Sequence, residues 1–510
     1  MTVRLILGDQ LNLQHSWFET PDDSILYFMA EMKQETNYVT HHIQKVVAFF
    51  ASMRNFATQL EKQGHRVLYL PLDADENTQE LTSNIQRIIA TENAKRFEYL
   101  LPDEYRLDEQ LRNFCKHLTI ESKAFDTEHF LTTREELATF FKGKKQFTME
   151  YFYRYMRKKH GILMLNGETP QGGQWNFDHS NRKKWKGTPN VPSLNETAIN
   201  VSNLTALLES QNIKTIGTIN AESFTWPTTR ESSLEILNHF CQELLEHFGD
   251  YQDAMDPDEK YLFHSRLSFA LNCKMISPKE VMETVIAHWR RNLDSIHISQ
   301  VEGFVRQILG WREYMRGMYW KEMPNYAGLN ILANTHPLPD FFWTGKTKML
   351  CMRKSIEQSL ENAYAHHIQR LMITGNYALL TQCDPDQVDE WYLGIYIDAI
   401  EWVEITNTRG MSQWADGGKI ATKPYVSSGS YINKMSNYCK SCHYNVSDKT
   451  GEKACPFNSL YWNFLAEKRS HFEQNRRMGM MLNLLDKMKP ELLHAHRERA
   501  QHIISNPNEY

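Results

Sequence analysis

No stretch of this 510-residue chain approaches the roughly 20 consecutive apolar residues that span a bilayer. That excludes a single-pass helix, and no membrane partner is expected. The G-x-G-x-x-G fingerprint of dinucleotide-binding folds is absent. No repeat recurs at a fixed period, which excludes a solenoid. Eight cysteines are too few for a disulfide scaffold of this size. The start, MTVRLILGDQL, reads as a strand and a polar turn, without the apolar stretch and small-residue cleavage site of a signal peptide. A cytoplasmic protein is expected, in which clustered cysteines point to metal. A net charge of −5 offers no global attraction to nucleic acid.

What is present is more telling. The length calls for two or three domains. The first 130 or so residues alternate short apolar runs (VRLILG, SILYFMA, HRVLYLPL, FEYLLPD, KAFDTEHF) with amphipathic stretches such as the one ending at Gly64. This is a βαβ pattern and predicts a doubly wound parallel sheet over 1–135. Residues 136–215 are rich in Gly, Pro and polar side chains and read as an interdomain connection. From Lys142 to Lys186 there are eleven Lys or Arg against three acids, interleaved with aromatics in YFYRYMRKKHG and GGQWNFDHSNRKKWKG. Phosphate neutralisation combined with base stacking needs that mixture. Residues 216–510 carry helical periodicity almost throughout.

Cys439 and Cys442 form a C-x-x-C pair, and Cys455 follows, just before Pro456. Three thiolates leave one coordination place. Cys351 is the first candidate for it, with His443 and Cys383 as rivals. Zinc and an iron–sulfur cluster are both compatible with this set. Cys115, Cys241 and Cys273 read as buried apolar residues. Elsewhere, EGFVRQILGWREYMR sets Glu302 and Arg306 at i, i+4 on a helix. YAHHIQRLMITGN and YIDAIEWVEITNTRGMSQWADGG place His366, His367, Arg370, Asp398 and Glu404 among apolar residues. Buried charge needs a partner, and Arg370 with Asp398 is the obvious pair.

Together these stretches resemble the photolyase/cryptochrome flavoproteins over nearly the whole chain. HSRLS followed by SPKEV is similar to their Ser-x-Leu-Ser flavin segment, and FVRQILGWREYMR to their Trp-Arg-Glu helix. Cys351, Cys439, Cys442 and Cys455 resemble the four ligands of the [4Fe–4S] cluster in the iron–sulfur bacterial branch. GGQWNFDHSNR, ADGG and the GDQL start are similar to that branch as well.

The resemblance implies an α/β antenna domain at 1–135, a DNA-contacting linker at 136–215 and an all-α FAD-binding domain with the cluster at 216–510. It implies FAD held by Ser265, Leu267 and Ser268 near the phosphates, with Glu302, Arg306, Trp311 and Arg312 nearby. Arg370 and Asp398 would lie beside the isoalloxazine, and Glu404 near N5. His367 stands where cyclobutane-dimer enzymes have Asn and (6-4) photolyases have His, which implies the (6-4) pyrimidine–pyrimidone lesion. His366, His367, Tyr425 and Glu404 are the implied catalytic residues, while Leu371 replaces the second His of the eukaryotic enzymes. Arg182, Lys183, Lys184, Met411 and Tyr425 would meet UV-damaged DNA. Trp391, Tyr392 and Trp343 would pass electrons to the flavin. A 6,7-dimethyl-8-ribityllumazine antenna would sit on Asp9, Glu35, Tyr38 and Phe49. A monomer is expected. The competing expectations are a cryptochrome-like photoreceptor without repair and a zinc-containing nucleic-acid-binding protein.

Overall fold

The computed structural model describes residues 1–194 and 197–510. Its first part is a five-stranded sheet of β1 (Thr2–Leu5), β2 (Ile25–Ala30), β3 (Val67–Leu70), β4 (Arg96–Leu100) and β5 (Glu121–Phe125), in the order β3-β2-β1-β4-β5. Every pairing is parallel, with Thr2 opposite both Ile25 and Arg96. Four strands fall on the apolar runs of the sequence, whereas β5 starts two residues before the expected KAFDTEHF, ends at Phe125 and is a partly exposed edge rather than a buried strand. The order reverses at β1, where ligands of open α/β sheets bind.

Alternation along the strands sorts side chains onto two cores. Val3, Leu5, Phe28 and Phe97 face a small core completed by Leu81, Ile85 and Ile88 of helix Leu81–Thr91 and Leu107 and Leu111 of helix Tyr105–Lys116. Tyr27 and Met29 face the other way, onto Val47, Phe50 and Leu60 of helix Ile43–Lys62. That second core runs on without a break into the helical half.

The two parts are joined by buried ions. Lys274 Nζ lies 2.6 Å from Asp103 Oδ2, and donates to the Asp9 carbonyl at 2.6 Å and to Asp9 Oδ2 at 3.2 Å. Lys45 Nζ donates to the Leu393 carbonyl at 2.7 Å. The next residue, Gly394, passes so close to Thr40 that a Cβ would stand 2.4 Å from its carbonyl oxygen. Only glycine permits that approach.

The expected linker contains helix Met149–His160, whose Tyr153 hydroxyl donates to Glu302 Oε1 at 2.9 Å in the helical half. One member of the basic run is not a surface charge. Arg157 is fully buried and donates to the carbonyls of Ile162, Leu163 and Trp175, gathering the turn after its own helix. From Ser202 on, the described residues are helical. Helix Pro278–Arg291 starts as its sequence predicts, with the Ser277 hydroxyl accepting from Glu280 N at 3.1 Å. The Glu280 carboxylate, however, turns to Arg230 rather than back to the cap. Four stretches widen to i→i+5 turns, one at Phe240–Leu244 and three at Arg306–Arg312, Arg370–Gly375 and Thr406–Ser412. Such turns mark functional sites often, and the last three carry residues singled out above.

Candidate cofactor and nucleic-acid site

The centre of the helical half is built on the Arg370–Gly375 turn. Arg370 forks onto Asp398, Nη1 to Oδ1 at 2.9 Å and Nη2 to Oδ2 at 3.2 Å, and its Nε donates to the Ala365 carbonyl at 2.6 Å. The guanidinium also lies 3.8 Å from the ring centre of Tyr396. Asp398 is held below the usual carboxylate range by Arg370, by its hydrogen bonds to Arg370 and by the Ser268 hydroxyl, against the upward push of burial. The pair read from sequence is therefore present, and Ser268 joins it. Leu267 is buried just before, and Ser265 is half-buried in the extended segment leading to helix Ser268–Asn272.

Several buried polar atoms of these helices make no hydrogen bond among the described residues: Glu404 Oε1, His264 Nε2, Nε and Nη1 of Arg312 and, 3.8 Å from Glu302 Oε1, Arg306 Nε. Buried polar atoms are rarely left so, and a large polar ligand would account for them. Burial, aided by Asp389, pushes the Glu404 carboxyl well above its ordinary value, which favours its protonated form. The other residues of the Trp-Arg-Glu helix are engaged differently from one another. Arg306 binds Asp178 at 2.5 Å, while Glu302 accepts from Tyr153 and from Phe177 N. Trp311 packs edge-on against Tyr314. Arg312 lies deeper, donating to the Leu271 carbonyl at 3.0 Å between the rings of Phe130 and Trp402.

His367 has an unusual setting. Its side chain is open to solvent, yet so much protein surrounds it that burial, with Arg370, pushes its imidazole down to about 4. Open but surrounded describes a cavity wall. His366 turns inward and stacks on His264, ring centres 4.6 Å apart and planes 15° apart. Sequence reading missed His264, which looked like part of a phosphate segment.

On the adjoining surface, Arg182 is 59% exposed and pairs with Asp178. Lys183 pairs with Asp250 at 2.7 Å, and Lys184 donates to the Asn433 carbonyl at 2.9 Å. Met411 is buried and Tyr425 half-buried. Burial raises Tyr425, with Asp178 adding to the effect and Arg182 and Arg477 opposing it. Arg477 is thus a further exposed cation on this face. Asp253, pushed up to about 6 by burial and Asp178, lies there too.

Tyr392 and Trp391 sit edge to face at 5.2 Å, and the Tyr392 hydroxyl donates to the Arg370 carbonyl at 2.6 Å. Trp391 contacts Phe342 at 5.1 Å and donates to its carbonyl. Trp343, next in sequence, is 43% exposed. The three aromatics therefore run from the Arg370 turn to the surface.

Two more cavities complete the picture. One, of about 120 Å³, lies at the carboxyl ends of β1 and β2 and is lined by Asp9, Glu35, Tyr38 and Phe49 together. Glu104, Lys45 and His41 also line it. Arg106 bridges Glu35 and Glu104, 2.7 and 2.9 Å from their oxygens, with its guanidinium over Tyr38. The other is ringed by Cys351, Cys439, Cys442 and Cys455, with Tyr438, Tyr444 and Phe457 in its walls. Neither Cys383 nor His443 lines it. Burial and mutual repulsion push the thiol of Cys439 up to about 11 and that of Cys455 to about 12. Thiols gathered this way need a cationic centre to ionise. Among the described residues no three His, Cys, Asp or Glu side chains are grouped as around a single metal ion.

Residues 4–226 match the family model described as deoxyribodipyrimidine photo-lyase-related protein. A (6-4) photolyase of Agrobacterium fabrum is 41% identical over 502 residues, covering 97% of each chain. The uncharacterized protein R855 of Acanthamoeba polyphaga mimivirus is 34% identical over 102 residues, 20% of this chain and 76% of that one. Among solved structures, a bacterial class III photolyase from Agrobacterium tumefaciens superposes with a TM-score of 0.60 at 14% identity, covering 100% of this chain and 97% of that one. A Synechocystis cryptochrome does so with a TM-score of 0.54 at 13% identity, covering 96% and 99%. No helix among the described residues is long and apolar enough to cross a membrane.

Proposed function

The chain belongs to the photolyase family, and we propose that it repairs (6-4) pyrimidine–pyrimidone photoproducts in DNA, driven by light. The observation that carries this reading is His367, a histidine on an open yet protein-surrounded turn three residues before the Arg370–Asp398 pair. It is supported by near full-length similarity to a protein bearing that activity.

FAD fits the centre of the helical half, by the orphaned buried polar atoms described above. Bound there and fully reduced, it would lend the lesion an electron on excitation and take it back once the lesion has reopened, leaving the repair redox-neutral. The protein's own groups do the rest. Arg182 and Arg477 meet the phosphates, with the Asp178 carboxylate giving Arg182 up as a phosphate replaces it. Tyr425, Tyr431 and Met411 wall the space for the extruded dinucleotide, whose extrusion costs less because a damaged step stacks poorly. The Arg370 guanidinium, fixed by Asp398, lies against the face where charge collects. Glu404, whose protonated form burial favours, would face the flavin ring as a hydrogen-bonding group. His367 presents a ring N–H to the group that migrates between the two bases. Its ring is uncharged in the free protein at neutral pH, since it titrates at about 4. The approaching phosphates raise that value, so the proton arrives with the substrate.

The four-cysteine ring holds a [4Fe–4S] cluster in this reading, tying helix Leu350–Asn362 to the 439–455 loop. The cavity on β1 and β2 takes a ribityllumazine antenna, with Arg106 and Glu35 facing its polar edge. Trp391, Tyr392 and Trp343 refill the flavin with electrons.

Illumination of the reduced, FAD-loaded protein with oligonucleotides carrying one defined (6-4) lesion, followed by product chromatography, tests the function. Restored dipyrimidine is expected, and a cyclobutane-dimer oligonucleotide should stay unchanged. Lesion DNA that is bound and left intact overturns the proposal in favour of a photoreceptor.

A further inference from the structure

We propose that Gln369 is a positioning residue that holds the His366–His367 turn in register with the four-cysteine ring. The linkage rests on the reading of His367 as the residue that faces the lesion.

The Gln369 side chain is buried, and its amide is used to capacity. Oε1 accepts from His366 N at 3.1 Å and from Gln358 Nε2 at 3.3 Å. Nε2 donates to Gln358 Oε1 at 3.1 Å and to the Tyr438 hydroxyl at 3.0 Å. A glutamine amide has two donors and two acceptor sites, so no hydrogen bond is left over and the plane cannot rotate without losing several. Each partner comes from a different arm of the cysteine ring. Gln358 lies seven residues after Cys351 on helix Leu350–Asn362, hence on the same face. Tyr438 directly precedes Cys439 and lines the cavity itself. Gln358 also donates to the Lys260 carbonyl at 3.1 Å, on the segment leading to His264 and Ser265.

The two arms are 88 residues apart in sequence at Cys351 and Cys439, yet both end on one amide. That amide grips the backbone N–H at the start of the helix bearing His367. A shift of either arm of the ring therefore reaches the histidine turn through two hydrogen bonds. The four-cysteine ring is more than a staple for the tail: it sets where His367 stands. The apolar residues between could pack in many ways, whereas a saturated buried amide specifies one.

Holoprotein carrying Tyr438→Phe or Gln369→Met tests this against wild type, with three readouts. Hydrogen exchange of the segment around His366 is measured in the dark. Repair per absorbed photon is measured at saturating (6-4) DNA. Flavin and iron contents are measured alongside. Gln369→Met removes the acceptor of His366 N–H, and the amide should exchange about tenfold faster, the loss of roughly one buried hydrogen bond. Repair per photon should fall several-fold in both variants, with DNA affinity, flavin and iron unchanged. Gln369→Glu keeps the acceptor for His366 N–H, and the Tyr438 hydroxyl, which accepts from Gln369 in the wild type, can turn to donate to the carboxylate, so protection should be restored. A general loosening would instead speed exchange along all of helix Leu350–Asn362. Unchanged exchange at His366 in Gln369→Met, or unchanged repair in both variants, overturns the proposal. If wild type repairs no (6-4) DNA, the functional reading fails, while the exchange arm still judges the linkage.

Discussion

Proton uptake on binding lesion DNA should be carried chiefly by His367. In the free protein its ring titrates at about 4, depressed by burial and then by Arg370. DNA brings phosphates and displaces nothing cationic from the ring, so its value rises. If it only regains the ordinary imidazole value of about 6.5, the ring changes at pH 6 from about 1% to about three-quarters protonated. The sign follows from the shift. A group whose value is higher in the complex strengthens binding fully below its free value, and the gain fades as pH rises through its bound value. Affinity should therefore rise about 30-fold from pH 8 to pH 5, and calorimetry at pH 6 in buffers of different ionisation enthalpy should register about 0.75 proton taken up. Other groups nearby can also respond. Asp253, at about 6, would be pushed further up by phosphates and take up protons too. His264 titrates at about 4 and His366 well below its ordinary value, but both are enclosed by each other's rings and lie further from the opening. Subtraction separates them: His367→Asn should abolish most of the uptake and the repair, and Asp253→Asn should leave the larger share. Equal uptake by wild type and His367→Asn would refute the assignment of His367 as the proton carrier.

Three further outcomes follow from the same geometry. Arg370→Met leaves Asp398 without its fork in a largely buried place, and should cost about 2–4 kcal/mol in denaturant unfolding along with bound flavin; an unchanged midpoint would mean that Asp398 finds water instead. A Cβ at Gly429 would stand 2.8 Å from Cys455 Sγ, so Gly429→Ala should cost about 1–3 kcal/mol and lower iron per protein, read by metal analysis; full iron content would show that the ring can shift. Arg182→Ala should reduce the slope of log affinity against log salt by about 1, as one phosphate contact is lost, and weaken lesion and undamaged DNA alike; an unchanged slope would remove Arg182 from the interface.

The sheet was legible in its inner strands because these are short aliphatic and aromatic runs bounded by polar turns, the mark that burial between helices leaves, whereas the exposed edge strand β5 carries only part of that mark and was placed two residues late. The cysteine ring was legible in part. C-x-x-C marks itself, but Cys351 stands alone in the sequence and only the fold brings it to the others. Of the long-range partners, the buried Arg370–Asp398 pair was legible because buried charge needs a counter-charge, while others left no trace. Arg106 and Glu104, which pair in the wall of the cavity at the carboxyl ends of β1 and β2, look like the start of an ordinary amphipathic helix. His264 reads as one polar residue among serines until its ring is seen against His366. The basic run misled in one respect, because charge in sequence was read as surface, whereas Arg157 spends its guanidinium on three carbonyls indoors.

The widened turns explain why the central site resisted a periodicity argument. A residue inserted into an i→i+4 ladder rotates everything after it by about 100° relative to a regular helix. At Arg306–Arg312, Arg370–Gly375 and Thr406–Ser412 the apolar stripe read at a period of 3.6 therefore no longer points where the side chains go. Each wide turn also leaves backbone groups to be satisfied by side chains: the Arg370 carbonyl is taken by the Tyr392 hydroxyl, and the Gly375 carbonyl by the Gln413 amide. These turns are stable only because such partners are in place, and the partners belong to the very helices that wall the site. A polar residue in this region is thus recruited twice, once to close a turn and once to face a ligand. That is why charge, hydroxyl and amide side chains crowd into stretches that hydropathy alone would call core.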